Sequence, residues 1–591
     1  MTAIFGHIHF DPESVMGRGE IDRAWIGERA SASNGGVRIV ADARLDDRVS
    51  LARSLGLSPG RASDAELILS VYQRYGSEAV GKLLGDFAFA IWDDSARELF
   101  CARDVFGVVP LYYRHDRDGV AFSTHLASIR REDNAPSHER IAAFLVGLDD
   151  TADDTAFTSI RRLPPGHSLL WRRGEIVVRR YASITPQATL LGEDHAAGIR
   201  QRFLDAVHDR SRGIPRLGAM LSGGLDSSSI VAAVAQRGEP PLRTFSFAYP
   251  KGSPYDESEF VAAMIERYPL LPDFVPMAGL APLDGLAELA SGMDDLIFGP
   301  GLLKVGRLLG RARQVGVRVV LDGHGGDEVI SHGYGRLKHL ARQRRWRTLY
   351  QELRGVSAVT QESAVGLLLQ FISSEGVVAK LRKLAAPSMS QGAPPAPLLD
   401  RDLERATDIG NRAAHWARAY AQAASSEAGM HVWNVTAPSV ASGFEALRRI
   451  ADTADVTVRF PFYDRRLVSY ALAVPDAEKL RGGWTRRVMR EAMEGMLPDR
   501  VRWRRTKTDF SAELSEGMAR HHAPFLTDIL RNSGPLVGFV DLPAARHRLD
   551  LLLTNPRAVT SSEVLALWRM SFLALWLGNR TQTRALSRAT S

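Results

Sequence analysis

The stretch SGGLDSS occupies residues 222–228, directly after the apolar run RLGAML at 216–221 and directly before the apolar run SIVAAVA at 229–235. This pattern predicts a strand, a glycine turn and a helix. Two adjacent glycines let the backbone approach an anion closely, and the free N–H groups at a helix start bind phosphate with help from the helix dipole. The stretch therefore predicts a phosphate site. We assign to it Ser222, Gly223, Gly224, Ser227 and Ser228.

Asp226 stands in the middle of this anion site and would repel a phosphate unless a cation lay between them. We therefore assign Asp226 to Mg²⁺, which prefers oxygen ligands and commonly bridges carboxylates to phosphates. The loop lacks the lysine of the GxxxxGK[ST] motif, so it belongs to a different class of phosphate loop. The alternative is a plain Gly-Gly turn in which the Asp caps a helix.

A second loop of the same kind, LDGHGGDE at 321–328, follows the apolar run VRVV at 317–320. In a parallel sheet both loops would lie at the carboxyl edge of the strands, where ligands bind. Asp327 would then share the metal with Asp226, and Gly323 would join the nucleotide site. The alternative is a loop that only caps a helix with its Asp and Glu.

The flanking sequence predicts two domains. Residues 1–180 contain short alternating or apolar runs such as VRIVADARL and ELFCARD, which are typical of an α+β domain with layered sheets. From about residue 190, strands alternate with helices, which predicts a parallel sheet of βαβ units, and the end of the chain is mostly helical. The proline-rich stretch 386–397 is predicted to be a loop, and the basic stretch 336–354 to be a solvated helix face.

Composition limits the classes of function. The chain has 591 residues, a formal net charge of +7 and a single cysteine, Cys101, so that neither an intramolecular disulfide nor a cysteine metal cluster can form. No signal-peptide pattern or run of about 20 apolar residues is present, which predicts a cytoplasmic protein without a membrane span. No nucleic-acid-binding motif accompanies the positive charge.

Taken together, these motifs resemble the asparagine synthetase family of ATP pyrophosphatases. The segments that look like its amino-terminal, glutaminase-type domain are IFG at 4–6, GDFAFAIWD at 85–93 and RDVFGVVPLYY at 103–113. Besides the two loops, the segments that look like its synthetase domain are RFPFYDRRL at 459–467 and WRRTKTDFS at 503–511. The resemblance covers nearly the whole chain.

The resemblance implies a fold and a reaction. The fold would be an N-terminal-nucleophile-hydrolase-like layered α+β domain at 1–185, followed by a PP-loop α/β ATP pyrophosphatase domain at 186–591 with extra helices and an insertion around 336–445. The reaction would cleave ATP to AMP and pyrophosphate, activate a carboxylate as an acyl adenylate and let an amine attack it. Lys507 matches the family lysine that reaches the phosphate and the developing oxyanion, where a cation stabilises growing charge.

The amino-terminal half departs from the family where its chemistry should be. Thr2 stands where the nucleophilic cysteine is expected, the arginine-rich substrate loop is missing, and residues 43–45 read Ala-Arg-Leu where an Asn-Gly-Glu segment is expected. Only Asp64 matches a glutamine-holding residue. We therefore expect no hydrolysis of glutamine, a structural role for this domain and an amine that arrives with the substrate.

Two branches of the family use a substrate-borne amine: β-lactam or carbapenam synthetases, and lasso-peptide macrolactam synthetases. His324 matches a position near the reacting carboxylate, where an imidazole could act as the base for the attacking amine; alternatively, it only lines the ATP site. The long basic region from about 336 to 445 offers surface that a peptide enzyme would use, and the chain length together with the altered amino-terminal half looks most like the lasso cyclases. That implies a ribosomal precursor peptide as substrate, with a leader peptidase and a leader-binding protein as partners.

Other readings of the sequence stay open: a small-molecule amide ligase, a glutamine-dependent asparagine synthetase homologue, and a catalytically silent binding protein. A silent binding protein is disfavoured because the phosphate loop, Asp327 and Lys507 are all intact.

Overall fold

The computed structural model describes residues 4–9, 31–58, 60–238, 241–360, 363–375, 398–505 and 511–590. Thr2, Lys507 and the proline-rich stretch 386–397 lie outside these ranges, so the predictions made for them stay predictions.

The amino-terminal half contains two antiparallel sheets that pack face to face. Its strands are β1 (Phe5–His9), β2 (Ser31–Asn34), β3 (Val37–Leu45), β4 (Gly85–Asp93), β5 (Glu98–Arg103), β6 (Tyr112–Asp116), β7 (Gly119–Ser123), β8 (Arg161–Arg162), β9 (His167–Arg172) and β10 (Glu175–Arg180). The strand order is β1-β7-β6-β8 in the smaller sheet and β10-β9-β5-β4-β3-β2 in the larger one. The predicted layered sheets are confirmed.

The helices of this half are α1 (Arg48–Ser54), α2 (Asp64–Tyr75) and α3 (His138–Val146), with 3₁₀ turns at Gly76–Lys82 and Leu126–Ser128. Helix α2 begins with a capping box in which the Ser63 side chain and the Glu66 side chain each accept from the other's backbone N–H. Its apolar face packs on one side of the six-stranded sheet, and Cys101 is buried between the two sheets.

The second half is built on a parallel sheet in the order β13-β12-β11-β14-β15, in which every neighbouring pair of strands is parallel. These strands are β11 (Leu217–Met220), β12 (Leu242–Ala248), β13 (Leu270–Pro276), β14 (Val319–Leu321) and β15 (Thr457–Arg459); a short hairpin, β16 (Leu480–Arg481) and β17 (Trp484–Thr485), lies outside the sheet. The predicted βαβ arrangement is confirmed.

Helices make up most of the rest. Those up to residue 375 are α4 (His195–Ser211), α5 (Leu225–Ala235), α6 (Ser258–Arg267), α7 (Leu286–Gly292), α8 (Leu302–Gln314), α9 (Gly326–Ile330), α10 (Gly335–Arg342), α11 (Trp346–Thr360) and α12 (Ala364–Glu375). Those after it are α13 (Arg401–Ala406), α14 (Ile409–Ala423), α15 (Glu427–Thr436), α16 (Pro438–Thr453), α17 (Arg465–Ala473), α18 (Asp476–Lys479), α19 (Arg487–Ala492), α20 (Asp499–Arg502), α21 (Ser511–His521), α22 (Ala523–Arg531), α23 (Leu542–Thr554) and α24 (Ser561–Thr590). Within the described ranges, no helix is long and apolar enough to cross a membrane.

Buried ion pairs join the two halves. On α16, the Glu445 carboxylate accepts hydrogen bonds from Arg103 at 2.9 Å, from Arg162 at 2.8 Å and from the Tyr112 hydroxyl at 2.9 Å, all three of which belong to the amino-terminal half. Buried residues of both halves form one continuous apolar core around this contact. The interface therefore fixes α16 against the amino-terminal domain.

Candidate functional site

The two predicted loops meet at one edge of the parallel sheet. Strands β11 and β14 are neighbours, so the loops that follow them emerge side by side. Gly326 makes this close approach possible, because an added Cβ would lie 2.2 Å from Cγ of Asp226. Gly223 has a φ of +67° and sits against Phe260, where an added Cβ would lie 2.4 Å from the Phe260 Cβ. Both positions therefore require glycine.

Hydroxyl groups hold the first loop in shape. The Ser227 hydroxyl accepts from the Ser222 backbone N–H at 3.1 Å and lies 3.1 Å from the Ser222 hydroxyl. Gly224 immediately precedes α5, so the N–H groups in the first turn of that helix are open towards the cavity beside it. Ser228 is fully buried behind the loop and does not line the cavity, so the structure does not bring its hydroxyl to the predicted phosphate position.

A first cavity of about 960 Å³ lies against these loops. Its wall includes Ser222, Gly224, Asp226, Ser227, Gly323 and Asp327 from the predicted nucleotide site. The basic side chains that line it are Lys304, Arg486, Arg490, Arg504 and Arg505. A concave site that combines a helix start with several guanidinium groups suits a polyphosphate.

One guanidinium nitrogen connects the two carboxylates that were assigned to Mg²⁺. Nη1 of Arg486 lies 2.8 and 2.7 Å from the two carboxylate oxygens of Asp226 and 2.6 Å from Oδ1 of Asp327. His332 also approaches Asp327, at 3.4 Å. Asp226 and Asp327 thus converge on a single cationic position, which Arg486 occupies, while their assignment to Mg²⁺ stays a prediction.

This donor set fits a magnesium ion that arrives with phosphates. Mg²⁺ usually takes one or two protein carboxylates and completes its shell with phosphate and water oxygens. In the described part of the chain, no cluster of three or more His, Cys, Asp or Glu side chains could hold a metal by itself. Asp226 and Asp327 would therefore hold the ion together with the nucleotide.

His324 is held by the residue at the end of strand β14. Its Nδ1 lies 2.8 Å from Oδ1 of Asp322, which also accepts from the His324 backbone N–H at 2.9 Å. Burial opposes ionisation of Asp322, but His324 and the loop N–H groups outweigh it and lower the Asp322 pKa below its ordinary value. A carboxylate on Nδ1 leaves Nε2 as the acceptor nitrogen, and about half of the imidazole surface, 54%, is exposed.

A second cavity of about 850 Å³ borders the same loop. It shares His324, Asp327 and Glu328 with the first cavity, so that the two cavities meet there. Burial raises the pKa of Glu328, and the neighbouring Asp327 raises it further. Helices α15 and α16 supply the far wall, which includes Trp433, Gly443, Phe444, Ala446 and Leu447.

The described residues that line the second cavity include no lysine and no arginine. Its acidic members are Asp149, Asp327 and Glu328, of which Asp149 is paired with the buried Arg140 at 2.8 Å and Asp327 with Arg486. The first cavity is therefore suited to an anion, whereas the described lining of the second offers a bound carboxylate no permanent positive charge, because its basic members are His324 and His332.

Arg486, Arg490 and the role of Asp322 were not predicted from the sequence. Asp322 had a local signal, since an Asp two residues before a candidate base can accept from both its ring and its backbone. Arg486 had none, because it lies 260 residues from Asp226. Lys507 lies outside the described residues; Arg505 and Glu513, on either side of it in the sequence, both line the first cavity.

The one retained glutaminase-type residue is engaged by the protein itself. Asp64 accepts from the Leu45 backbone N–H at 3.2 Å and pairs with Arg48 at 3.2 Å. Nearby, Arg44 forms ion pairs with Asp46 and with Asp86, the latter at 2.9 Å. Asp64 and Arg44 are thus both engaged in ion pairs within the protein.

Comparison with protein families gives two matches. The profile described as Asparagine synthase matches residues 198–578, and the profile described as Glutamine amidotransferase domain matches residues 52–182. The predicted combination of a glutaminase-type domain with a synthetase domain on a parallel sheet is confirmed. The exact domain boundaries and the insertion stay predictions.

Several curated proteins are similar over most of the chain. Asparagine synthetase [glutamine-hydrolyzing] 3 of Bacillus subtilis is 27% identical over 477 residues, covering 77% of this chain and 71% of that protein. A putative asparagine synthetase [glutamine-hydrolyzing] of Mycobacterium tuberculosis is 25% identical over 531 residues, covering 87% and 79%. The amidase chry2 of Gibberella zeae is 27% identical over 293 residues, covering 45% and 42%.

Among solved structures, the glutamine phosphoribosylpyrophosphate amidotransferase of Bacillus subtilis, complexed with ADP and GMP, matches with 13% identity and a TM-score of 0.20. The match covers 42% of this chain and 63% of that one. So distant a likeness carries no argument here.

Proposed function

This chain belongs to the asparagine synthase family of ATP-dependent amide-forming ligases, and we propose that it is a lasso-peptide cyclase. In this proposal it adenylates an Asp or Glu side chain of a ribosomal precursor peptide, releasing pyrophosphate. The N-terminal amine of the same peptide then attacks, so that AMP leaves and a macrolactam forms.

The observation that carries the proposal is the second cavity. Cavities of roughly 300–1,000 Å³ hold ligands much larger than one amino acid, and this one measures about 850 Å³. Free aspartate brings a second carboxylate, which needs a positive partner when it is buried, yet no lysine or arginine occurs among the described lining residues. An Asp or Glu inside a peptide has amides instead of that second charge.

The first cavity is suited to the activation step. The open N–H groups of α5, with Arg490 and Arg504 on the wall, would hold the triphosphate. Asp226 and Asp327 would hold a magnesium ion, which supplies positive charge to the triphosphate and to the leaving pyrophosphate. The substrate carboxylate would reach the α-phosphorus from the second cavity, across the shared loop.

The surroundings of His324 support a role in the second step. It lies where the two cavities meet, and Asp322 fixes its ring with Nε2 as the acceptor. We assign it as the base that removes a proton from the attacking ammonium, with Asp322 stabilising the imidazolium that forms. Two protons must leave the ammonium overall: His324 takes the first, and the second leaves with the AMP phosphate as the acyl C–O bond breaks.

The source of the amine follows from the amino-terminal half. Asp64 is engaged with Arg48 and with the Leu45 backbone, and the Glutamine amidotransferase match begins only at residue 52. Both observations support an enzyme that obtains no ammonia from glutamine. The amine would then come from the substrate itself.

A glutamine- or ammonia-dependent asparagine synthetase is the second candidate. The similarity to asparagine synthetases over 71–79% of their length favours it. It requires that free aspartate bind in the second cavity without a lysine or arginine from the described lining.

Mass spectrometry on a trimmed precursor peptide with ATP and Mg²⁺ tests the proposal. Ring closure removes one water, a loss of about 18 Da, with one AMP formed per ring. Two control peptides separate the steps. N-acetylation should stop ring closure but leave pyrophosphate exchange, whereas replacing the acceptor Asp or Glu by its amide should stop both.

A second reaction contains free aspartate with ammonia or glutamine. Asparagine formation there, without dehydration of any peptide, would replace the proposal by the second candidate. If instead a small β-amino acid drives AMP formation, the enzyme is a small-ring synthetase of the β-lactam type.

A further inference from the structure

Arg486 occupies an unusual place in the fold. It lies between strand β17 and helix α19, is 8% exposed, and has a φ of +51° in the left-handed region. A non-glycine residue in this region is strained by about 1–2 kcal/mol, and such strain persists only where the surroundings fix it. Here the fixed guanidinium faces Asp226 and Asp327.

The contact geometry of Arg486 excludes a metal ion at the same position. One nitrogen, Nη1, is within 2.8 Å of both oxygens of Asp226 and of Oδ1 of Asp327. Mg²⁺ binds carboxylate oxygens at about 2.0–2.1 Å and excludes other atoms from that shell. The guanidinium and the ion therefore compete for the same carboxylates, and one must leave before the other binds.

We propose that Arg486 is a cation gate, which holds the two metal-binding carboxylates until the nucleotide arrives. The incoming triphosphate offers Arg486 a stronger set of acceptors, so that the guanidinium moves to phosphate oxygens and releases Asp226 and Asp327. Metal and nucleotide then bind cooperatively, and by linkage each raises the affinity of the other equally. The gate prevents a divalent cation from occupying the site alone.

This inference rests on the nucleotide-site part of the proposed function and does not depend on the peptide substrate. The test uses Mn²⁺ in place of Mg²⁺ and measures the free ion by electron paramagnetic resonance, with the full chain and no nucleotide. Wild type should leave nearly all Mn²⁺ free. The variants Arg486→Gln and Arg486→Gly should bind it at least about tenfold more tightly, within the usual range of coupling between sites.

Matched variants identify the cause of any binding. Arg487→Gln removes the neighbouring guanidinium, which pairs with Glu491 at 2.7 Å rather than with the two aspartates, and should behave like wild type. Arg486→Gln combined with Asp327→Asn should lose the gained Mn²⁺ binding. Arg486→Gly also relieves the positive φ, and thermal unfolding of each variant confirms that it folds.

Two results would overturn the gate. In the first, nucleotide-free wild type binds Mn²⁺ as tightly as Arg486→Gln does; in the second, neither Arg486 variant gains affinity for Mn²⁺. A third arm adds a non-hydrolysable ATP analogue to wild type and to Asp226→Asn. If the analogue promotes Mn²⁺ binding equally in both, the assignment of Asp226 to the metal fails and the gate fails with it. If the Mn²⁺ results are as expected but no peptide is cyclised, the cyclase proposal is refuted and the gate is not.

Discussion

Replacing Glu445 by Ala should loosen the attachment of the synthetase domain to the amino-terminal domain. Its carboxylate accepts two charge-assisted hydrogen bonds and one from a tyrosine hydroxyl. Removing one partner of a buried ion pair typically costs about 3–5 kcal/mol, because the other charge stays buried.

The partners left behind place the cost at the lower end of that range. Arg103, which is fully buried, would keep its hydrogen bonds to the backbone carbonyls of Gly107, Val109 and Leu163, at 2.7–3.0 Å. Arg162 would keep its ion pair with Asp295, at 2.5 Å. We therefore expect a loss of about 3 kcal/mol in unfolding free energy.

Urea unfolding followed by tryptophan fluorescence measures this loss. The matched control is Asp402→Ala, which removes a carboxylate from an exposed pair with Arg405 and should cost less than about 0.5 kcal/mol. Amide hydrogen exchange gives a local readout, because α16 should lose protection in Glu445→Ala while α5 keeps it. If Glu445→Ala unfolds at the same urea concentration as Asp402→Ala, the buried network does not fasten the domains.

Glu445→Ala should weaken substrate binding in the second cavity more than ATP binding in the first. Helix α16 contacts the amino-terminal domain through Glu445 and Arg448, while Phe444 and Leu447 line the second cavity. Loosening this helix should raise the KM for the proposed peptide substrate and leave pyrophosphate exchange nearly unchanged. Equal losses in both would mean that α16 supports the whole site rather than the second cavity.

Three further predictions follow from the site. Asp226→Asn and Asp327→Asn should each lower ATP–pyrophosphate exchange by several powers of ten, because the triphosphate charge would lack its cation. Asp322→Asn should slow ring closure at least about a hundredfold by disturbing the His324 tautomer while AMP still forms. Burial opposes ionisation of Glu445, but Arg162 and Arg103 outweigh it and lower its pKa. The stability it contributes is therefore full above pH 4.5 and falls as the pH decreases below that value.

Each of these predictions has a contrary outcome. Normal exchange in either Asn variant would remove that residue from the metal site. An Asp322→Asn enzyme that loses adenylation together with ring closure would place His324 at the nucleotide rather than at the amine. A difference in unfolding free energy between wild type and Glu445→Ala that stays constant from pH 7 to pH 3 would show that the Glu445 carboxylate does not carry the coupling.

The sheets and the nucleotide loop were predictable because they depend on local pattern. The alternation in VRIVADARL and the apolar run at 217–220 each predict a strand by themselves, and glycine turns mark where strands end. The meeting of the two loops followed from one topological rule, that carboxyl ends of parallel strands share an edge.

The rest of the site depends on packing between distant segments. Arg486 reaches Asp226 only because a two-strand hairpin and helix α19 place it there, and no periodic pattern encodes that approach. The second cavity likewise forms between the loop after β14 and helices α15 and α16, more than 100 residues later in the chain. Propensity and spacing contain no information about such a contact.

The interface gives the amino-terminal domain a structural role that does not depend on glutamine hydrolysis. Arg210 of α4, which is fully buried, pairs with Asp86 of the amino-terminal half at 3.3 Å and with Asp464 at 3.1 Å. Glu445 depends on two arginines of the same half. Without that domain these charges would lose their partners and the apolar core around them would face water. A change at the glutaminase-type site would leave these contacts in place, whereas loss of the domain would remove the partners that hold α16, the helix whose residues line the second cavity.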